Sequence, residues 1–454
     1  DVPAMSSGTG TIKATDSYSE YAIRGGFFRV NYNYLDKYLL EVNGRYDGSS
    51  KFPKSSRFGF FPSVSAGWQI AQERFMNSTR HWLDGLKLRA SYGVIGNQNI
   101  NPYTFTPSMS VNNKATSWII DDTYVTSISS LPALVSQNFT WEKVGTINVG
   151  LDVNLFNNRL SGVFEWYQRN TNGMLAPGVQ LPAVVGASAP YQNTADMRTR
   201  GWELSLNWRD QIGKVGYRIG FNLSDYKSEI IKYDDNAATK LLSSYYPGQT
   251  LGEIWGYVVD GYYTVDDFVD TSSWQLKEGV TSINGYNVRP GDVKFKNLRD
   301  DDTSTNVITS GDNTFDNPGD RKVIGNTTPR YQYGINLGMN YAGFDLNVIL
   351  QGTGKRDYWI SNVLTFPMNG DNFVPLFEGL SDYWMPKDPD NGDWSAVNPN
   401  AKYPRIYGNR GNSGSNLRQS DKYLSDASYL RIKNITLSYK LPKKWVNQIF
   451  LNQM

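Results

Sequence analysis

Trp118, Tyr124, Trp359, Tyr383, Trp384 and Trp394 fall in stretches without a regular apolar period, and Asp121, Asp122, Asn372 and Asp382 lie among them. Flat aromatic faces beside carboxylates and amides suit sugar rings, which present C–H patches and hydroxyls. The same residues suit a protein partner, because tyrosine and tryptophan dominate interface hot spots. Sequence alone leaves both readings open. Covalent chemistry has little to work with. His81 is the only histidine and sits in the turn segment His81-Trp82-Leu83-Asp84, where solvation or capping outweighs general-base work. No Gly-x-Ser-x-Gly elbow, phosphate loop or His-Glu-x-x-His motif occurs. Glycosidase carboxylates are defined by a spatial separation that sequence does not give. No catalytic residue, metal site or cofactor is assigned, and the chain reads as non-enzymatic.

The elements that must position these residues are strands. The 454 residues include 42 glycines, 30 tyrosines and 13 tryptophans, and no cysteine. That argues against a disulfide scaffold or thiolate chemistry and fits an exported bacterial protein. A net charge of +2 gives no case for binding nucleic acid. No apolar run reaches the roughly 18 residues of a membrane helix. Asp1 opens no signal peptide, as expected of a processed precursor or a trimmed piece.

Leu86-Lys87-Leu88-Arg89-Ala90-Ser91-Tyr92-Gly93-Val94 alternates apolar and polar residues. With a side-chain period of two, Leu86, Leu88, Ala90, Tyr92 and Val94 share one face, and Lys87, Arg89 and Ser91 the other. The pattern returns in about eleven segments, near 25–34, 38–47, 58–70, 85–96, 143–155, 160–170, 197–209, 217–227, 331–341, 344–353 and 423–441. Their connections keep a parity. Short ones lie at 35–37, 71–84, 156–159, around 212–214 and at 342–343. The long loops fall at about 97–142, 171–195, 228–330 and 354–422. Antiparallel strands threaded through a bilayer produce this parity, with tight turns on the periplasmic side and large loops outside, whereas a soluble sandwich has no reason to keep it. The fold class is therefore all-β, a transmembrane antiparallel β-barrel.

The apolar height agrees. Tyr331, Tyr333, Ile335, Leu337, Met339 and Tyr341 share a face. Ten residues at roughly 3.4 Å, tilted by about 40°, span about 26 Å, close to the band of about 25 Å between aromatic girdles. Trp202 and Trp208 bracket Leu204 and Leu206 in the same way. The opposite faces are polar and predict a lumen row that includes Lys87, Arg89, Asn148, Asp152, Glu203, Arg209 and Asn336. One strand breaks phase. Lys433 and Asn434 adjoin within 430–439, and a β-bulge there would restore both faces.

At this point the chain resembles the SusC/RagA class of TonB-dependent outer-membrane transporters of Bacteroidetes-type bacteria. The resemblance rests on Arg29-Val30-Asn31-Tyr32, Asp47-Gly48-Ser49-Ser50-Lys51-Phe52, Phe61-Pro62-Ser63-Val64-Ser65-Ala66-Gly67-Trp68 and Leu86 to Gly93 with Gly96-Asn97-Gln98. It also rests on Trp141-Glu142-Lys143, Leu155-Phe156-Asn157-Asn158-Arg159-Leu160 and Tyr429-Leu430-Arg431-Ile432-Lys433-Asn434, all in the family's order. It implies a 22-stranded barrel with a plugged lumen in the bacterial outer membrane. It further implies the TonB complex acting through the plug, and a SusD-like surface lipoprotein as lid. The expected activity is uptake of an oligosaccharide, with a peptide as the alternative. The class also leads us to expect no plug domain within 1–454, and earlier and closing strands in another chain or in a segment outside these residues, since eleven strands cannot close such a barrel. Many members carry a calcium-like acidic loop at the place of Gly291 to Asp302 and Asp320 to Asn326. Here the glycine spacing is lost, and a solvated acidic loop is expected instead. A secreted carbohydrate-binding or adhesin protein, and a passive porin, are the rival readings.

Overall fold

A computed structural model describes residues 18–108, 134–236, 238–242, 245–299, 306–360, 377–407 and 414–442, together with short strand pairs at 111–112, 119–120, 123–124 and 128–129. Eleven strands form one antiparallel sheet in which each strand pairs with the next in sequence. They are β1 Ile23–Tyr34, β2 Tyr38–Ser49, β3 Phe58–Gln69, β4 Leu83–Asn97, β5 Glu142–Leu155, β6 Leu160–Pro177, β7 Tyr191–Ile212, β8 Val215–Tyr233, β9 Arg330–Tyr341, β10 Phe344–Lys355 and β11 Tyr429–Tyr439. All eleven expected strands are present.

Their turns explain the up-and-down order. Leu35 and Asp36 both adopt φ near 55°, the left-handed geometry of a primed turn that matches the twist of the strands, and the Lys37 N–H closes it on the Tyr34 carbonyl at 3.0 Å. Asp36 tolerates it because the Asn33 side chain accepts its backbone N–H at 3.0 Å.

Three strands run beyond their expected limits. β6 continues to Pro177, β7 begins at Tyr191, and β8 continues to Tyr233, so the second long connection shrinks to 178–190. Alternation marks a strand only where one face meets hydrocarbon. Above the bilayer the ladder continues without that constraint, and its register shifts near Thr171, Met174 and Asp196. The last strand is shorter than expected, because the Asp426 side chain accepts the Ser428 N–H at 2.8 Å and turns the chain at its start. Residues Leu424–Asp426 pair instead with Asp357–Trp359.

The bulge in β11 is present. Ile349 lies opposite Asn434 and Leu350 opposite Ile432, which leaves Lys433 as the extra residue. Ile432 and Ile435 thereby stay on the same outer face as Leu350 and Val348.

Exposed large apolar side chains line that outer face, among them Tyr34, Tyr38, Leu40, Phe60, Val64, Leu88, Leu151, Phe164, Leu337 and Met339. Buried clusters lie instead at the loops. One joins Phe52, Phe61, Phe139 and Trp141; another joins Tyr257, Tyr263, Phe268, Ile283, Val288, Val293, Phe295 and Ile308. A sheet that buries little of its own apolar face, beneath loops with dry cores, needs lipid as its outer solvent.

Candidate functional site

The inner face of the sheet carries the first part of the site. Pairing places Lys87 opposite Asp152, Arg89 opposite Gly150 and Ser91 opposite Asn148, then Glu165 opposite Gly150 and Glu203. Arg89 lies across Gly150, donating from Nε to Asp152 at 3.1 Å and from its terminal nitrogen to Glu165. The glycine lets the guanidinium lie this close, since a Cβ at 150 would sit 2.7 Å from the guanidinium carbon and push the arginine aside. Asn148 Nδ2 reaches Glu165 at 3.5 Å. Lys87, Arg89, Asn148, Asp152 and Glu203 thus form one neighbourhood across β4 to β7. Arg209 and Asn336 fall elsewhere on the wall, nearer the tight turns, around Arg218, which pairs with Asp345 at 3.6 Å. Sequence reasoning omitted Glu165, although its place between Phe164 and Trp166 carries the same alternation signal. It also missed the rim clamp in which Arg330 grips both oxygens of the buried Asp225.

The second part is a body built by the two longest loops, 234–329 and 356–428, which interlock. The buried carboxylate of Asp292 joins them. It accepts from the Arg289 N–H (2.8 Å) on its own loop, and from Tyr407 OH (2.7 Å) and Asn416 Nδ2 (2.8 Å) on the other. Asn416 in turn accepts the Val293 N–H at 2.8 Å. Further ties are Tyr262 OH to the Ala401 carbonyl and the Val259 N–H to Asp421, each at 2.9 Å. Burial pushes the Asp292 carboxyl up, opposed by its three hydrogen bonds and by Arg405; burial likewise pushes up the Tyr407 phenol.

The expectation of a solvated acidic loop is therefore corrected for its described members. Asp292 is sealed in the seam, and Asp320 is equally buried, accepting the Leu298 and Thr309 N–H groups at 2.8 and 2.7 Å. Residues Asp300 to Asp302 lie outside the described residues. Both buried carboxylates exchange water for fixed N–H and O–H donors, which a count of acidic residues does not reveal. Among the described residues no group of three or more His, Asp or Glu is placed to hold a metal ion.

The loop aromatics divide. Trp118 and Asp121 lie outside the described residues, and Tyr124 is described only as part of a two-residue strand. Trp384 is 3% exposed, laid against Gly291, whose φ of +90° and missing Cβ make room for the indole. Trp359 and Tyr383 are half-buried and pack on the cluster of Leu380, Tyr403 and Tyr423. Trp394 meets Trp274 edge-on at 5.0 Å across the two loops and stacks under Arg405 at 5.0 Å. These rings hold the loop body together as much as they face outward. His81 is exposed, with Nδ1 3.0 Å from the Ser78 carbonyl.

An antiparallel sheet with an apolar, aromatic-banded outer face, a polar inner face and tight turns alternating with large loops is the wall of an outer-membrane β-barrel. The sequence profile of the TonB dependent receptor-like β-barrel family matches residues 3–452, and the chain belongs to that family. It is 28% identical to TonB-dependent receptor P3 of Formosa agariphila over 98% of this chain and 41% of that protein. It is also 28% identical to TonB-dependent receptor SusC of Bacteroides thetaiotaomicron, over 93% of this chain and 38% of that one. The chain thus spans about two fifths of the length of these relatives. Its fold matches the RagAB peptide importer in its open-open state with a TM-score of 0.71 at 24% identity, covering 98% of this chain and 43% of that one.

Proposed function

We propose that this chain supplies wall, lumen surface and outer loops to an active importer of an oligosaccharide. The observation that carries the substrate class is the inner face itself. Between its paired charges it presents neutral amides and hydroxyls, including Asn31, Asn43, Ser65, Ser91, Asn148 and Asn222, on the side opposite the lipid belt. Such groups exchange hydrogen bonds with sugar hydroxyls and carry no net field that selects an ion. In this reading a SusD-like lipoprotein lids the loop body, and the TonB complex acts through a plug held in the lumen.

The importer named in the fold comparison takes peptides, so peptides belong in the test. A deletion strain is grown on a panel of glycans and peptides, and ligand co-purified with the full transporter is identified. Loss of growth on one glycan, with that glycan retained by the protein, is the expected result. Loss confined to peptides would overturn the sugar reading, and unimpaired uptake without TonB would overturn active import.

A further inference from the structure

Four of the five tight connections span two to four residues, but the one between β3 and β4 runs from Ile70 to Trp82. It folds into two short 3-10 turns, Ile70–Gln72 and Arg74–Thr79, separated by Glu73. The Glu73 carboxylate fixes where this segment lies. It accepts Tyr38 OH at 2.7 Å, Lys37 Nζ at 3.1 Å and Trp68 Nε1 at 3.2 Å. Tyr38 and Trp68 share the parity of Leu40, Val64 and Ala66 on the lipid side of the wall, so the segment folds toward the outside of the barrel and away from the lumen. There it extends the periplasmic girdle, in which Tyr34, Tyr38 and Trp68 stack in a row with centroids 6.4 and 6.5 Å apart.

Two features of the segment find no partner among the described residues. Phe75 is 65% exposed, two residues beyond the glutamate that ties the segment to that girdle. Arg74 and Arg80 are exposed and make no ion pair among the described residues, while Glu73 is already matched by Lys37. An exposed phenylalanine and two unopposed cations at the end of an aromatic belt are the components of an interfacial lipid contact.

We propose that residues 70–82 bind the phosphate headgroups of anionic glycerophospholipid in the periplasmic leaflet. Arg74 and Arg80 take the phosphates, and Phe75 enters the acyl boundary. The occupant is a bilayer lipid because the phosphate-binding charges and the apolar anchor lie together, continuous with the hydrocarbon belt. A soluble anion would leave Phe75 in water.

The full-length transporter, stripped of lipid in neutral detergent, is titrated with phosphatidylglycerol and read by native mass spectrometry. Each arginine replaced should weaken the tightest binding event by about fivefold, so Arg74→Gln with Arg80→Gln should weaken it roughly 25-fold. Unchanged binding would overturn the proposal, as would displacement of the lipid by millimolar inorganic phosphate. A second measurement does not depend on the arginine variants folding. A nitroxide at Phe75→Cys, in bilayers containing phosphatidylglycerol, should be more accessible to oxygen than to a water-soluble nickel complex. The reverse order would place the side chain in water and refute the anchor.

Discussion

Leu151→Arg tests the assignment of faces on which every functional statement depends. Leu151 is 37% exposed on the outer face and lies opposite Leu88 and Phe164, and Phe164 lies opposite Leu204. Leu204 stands two residues from Trp202 and four from Trp208. At about 2.6 Å of height per tilted residue it is roughly 5 and 10 Å from the two girdle rings, within the apolar band. An arginine at such depth costs about 2–4 kcal/mol, a roughly 30- to 700-fold shift toward the unassembled state. Asn148 lies three residues away on the inner face, opposite Ser91 and Tyr167 and close to Glu165. Asn148→Arg gains a carboxylate neighbour in water and should cost about 1 kcal/mol or less. The assay is the denaturant midpoint of heat-modifiable gel migration for the full-length protein in lipid vesicles, with Leu151→Phe as a size control. Equal losses at 148 and 151, or a larger loss at 148, would refute the faces.

Three further outcomes follow from particular contacts. Deleting Lys433 leaves Leu430, Ile432, Ile435 and Leu437 in uninterrupted alternation, so the variant should still reach the outer membrane in folded form; deleting Asn347 in β10, which has no spare residue, should abolish assembly, as read by membrane fractionation. Arg89→Met leaves Asp152 and Glu165 without their shared cation and should lower stability by about 1 kcal/mol, given their partial exposure; adding Glu165→Gln should recover part of that loss in a double-mutant cycle. Asp292 has a raised folded-state pKa, so its contribution is full below the usual aspartate value of 3.8 and declines as pH rises through the folded value. Protection factors against hydrogen exchange at the amides of Arg289, Gly291, Asp292 and Val293, corrected for the intrinsic pH dependence, should fall over that rise, and Asp292→Asn should flatten the dependence; a flat wild-type profile would contradict it.

The wall was legible because one physical demand, hydrocarbon on one side and water on the other, writes itself into every second residue. The eleven strands, the bulge at Lys433 and the neighbourhood of Lys87, Arg89, Asn148 and Asp152 all follow from that period. What the period does not encode was not legible. The extensions of β6, β7 and β8 lie above the bilayer, where nothing enforces alternation. The Asp292 seam joins Tyr407 and Asn416, residues 115 and 124 positions away in sequence, and depends on tertiary packing of two loops. Trp384 looked like an open platform because sequence shows an aromatic beside Asp382 and Tyr383; it does not show Gly291 leaving the space that buries it.

The distribution of charge narrows how the wall can discriminate. On the inner face Arg29 is matched by Glu41, Arg45 by Asp47, Arg89 by Asp152 and Glu165, and Arg218 by Asp345. Each pair spreads little field beyond a Debye length of about 8 Å. Such pairs do not concentrate an ion of either sign by long-range attraction, while Lys87, Glu203 and Arg209 on the same face make no ion pair among the described residues. Between these charges the same face offers short-range hydrogen bonds from amides and hydroxyls such as Asn31, Ser65, Ser91 and Asn148, which act only at contact.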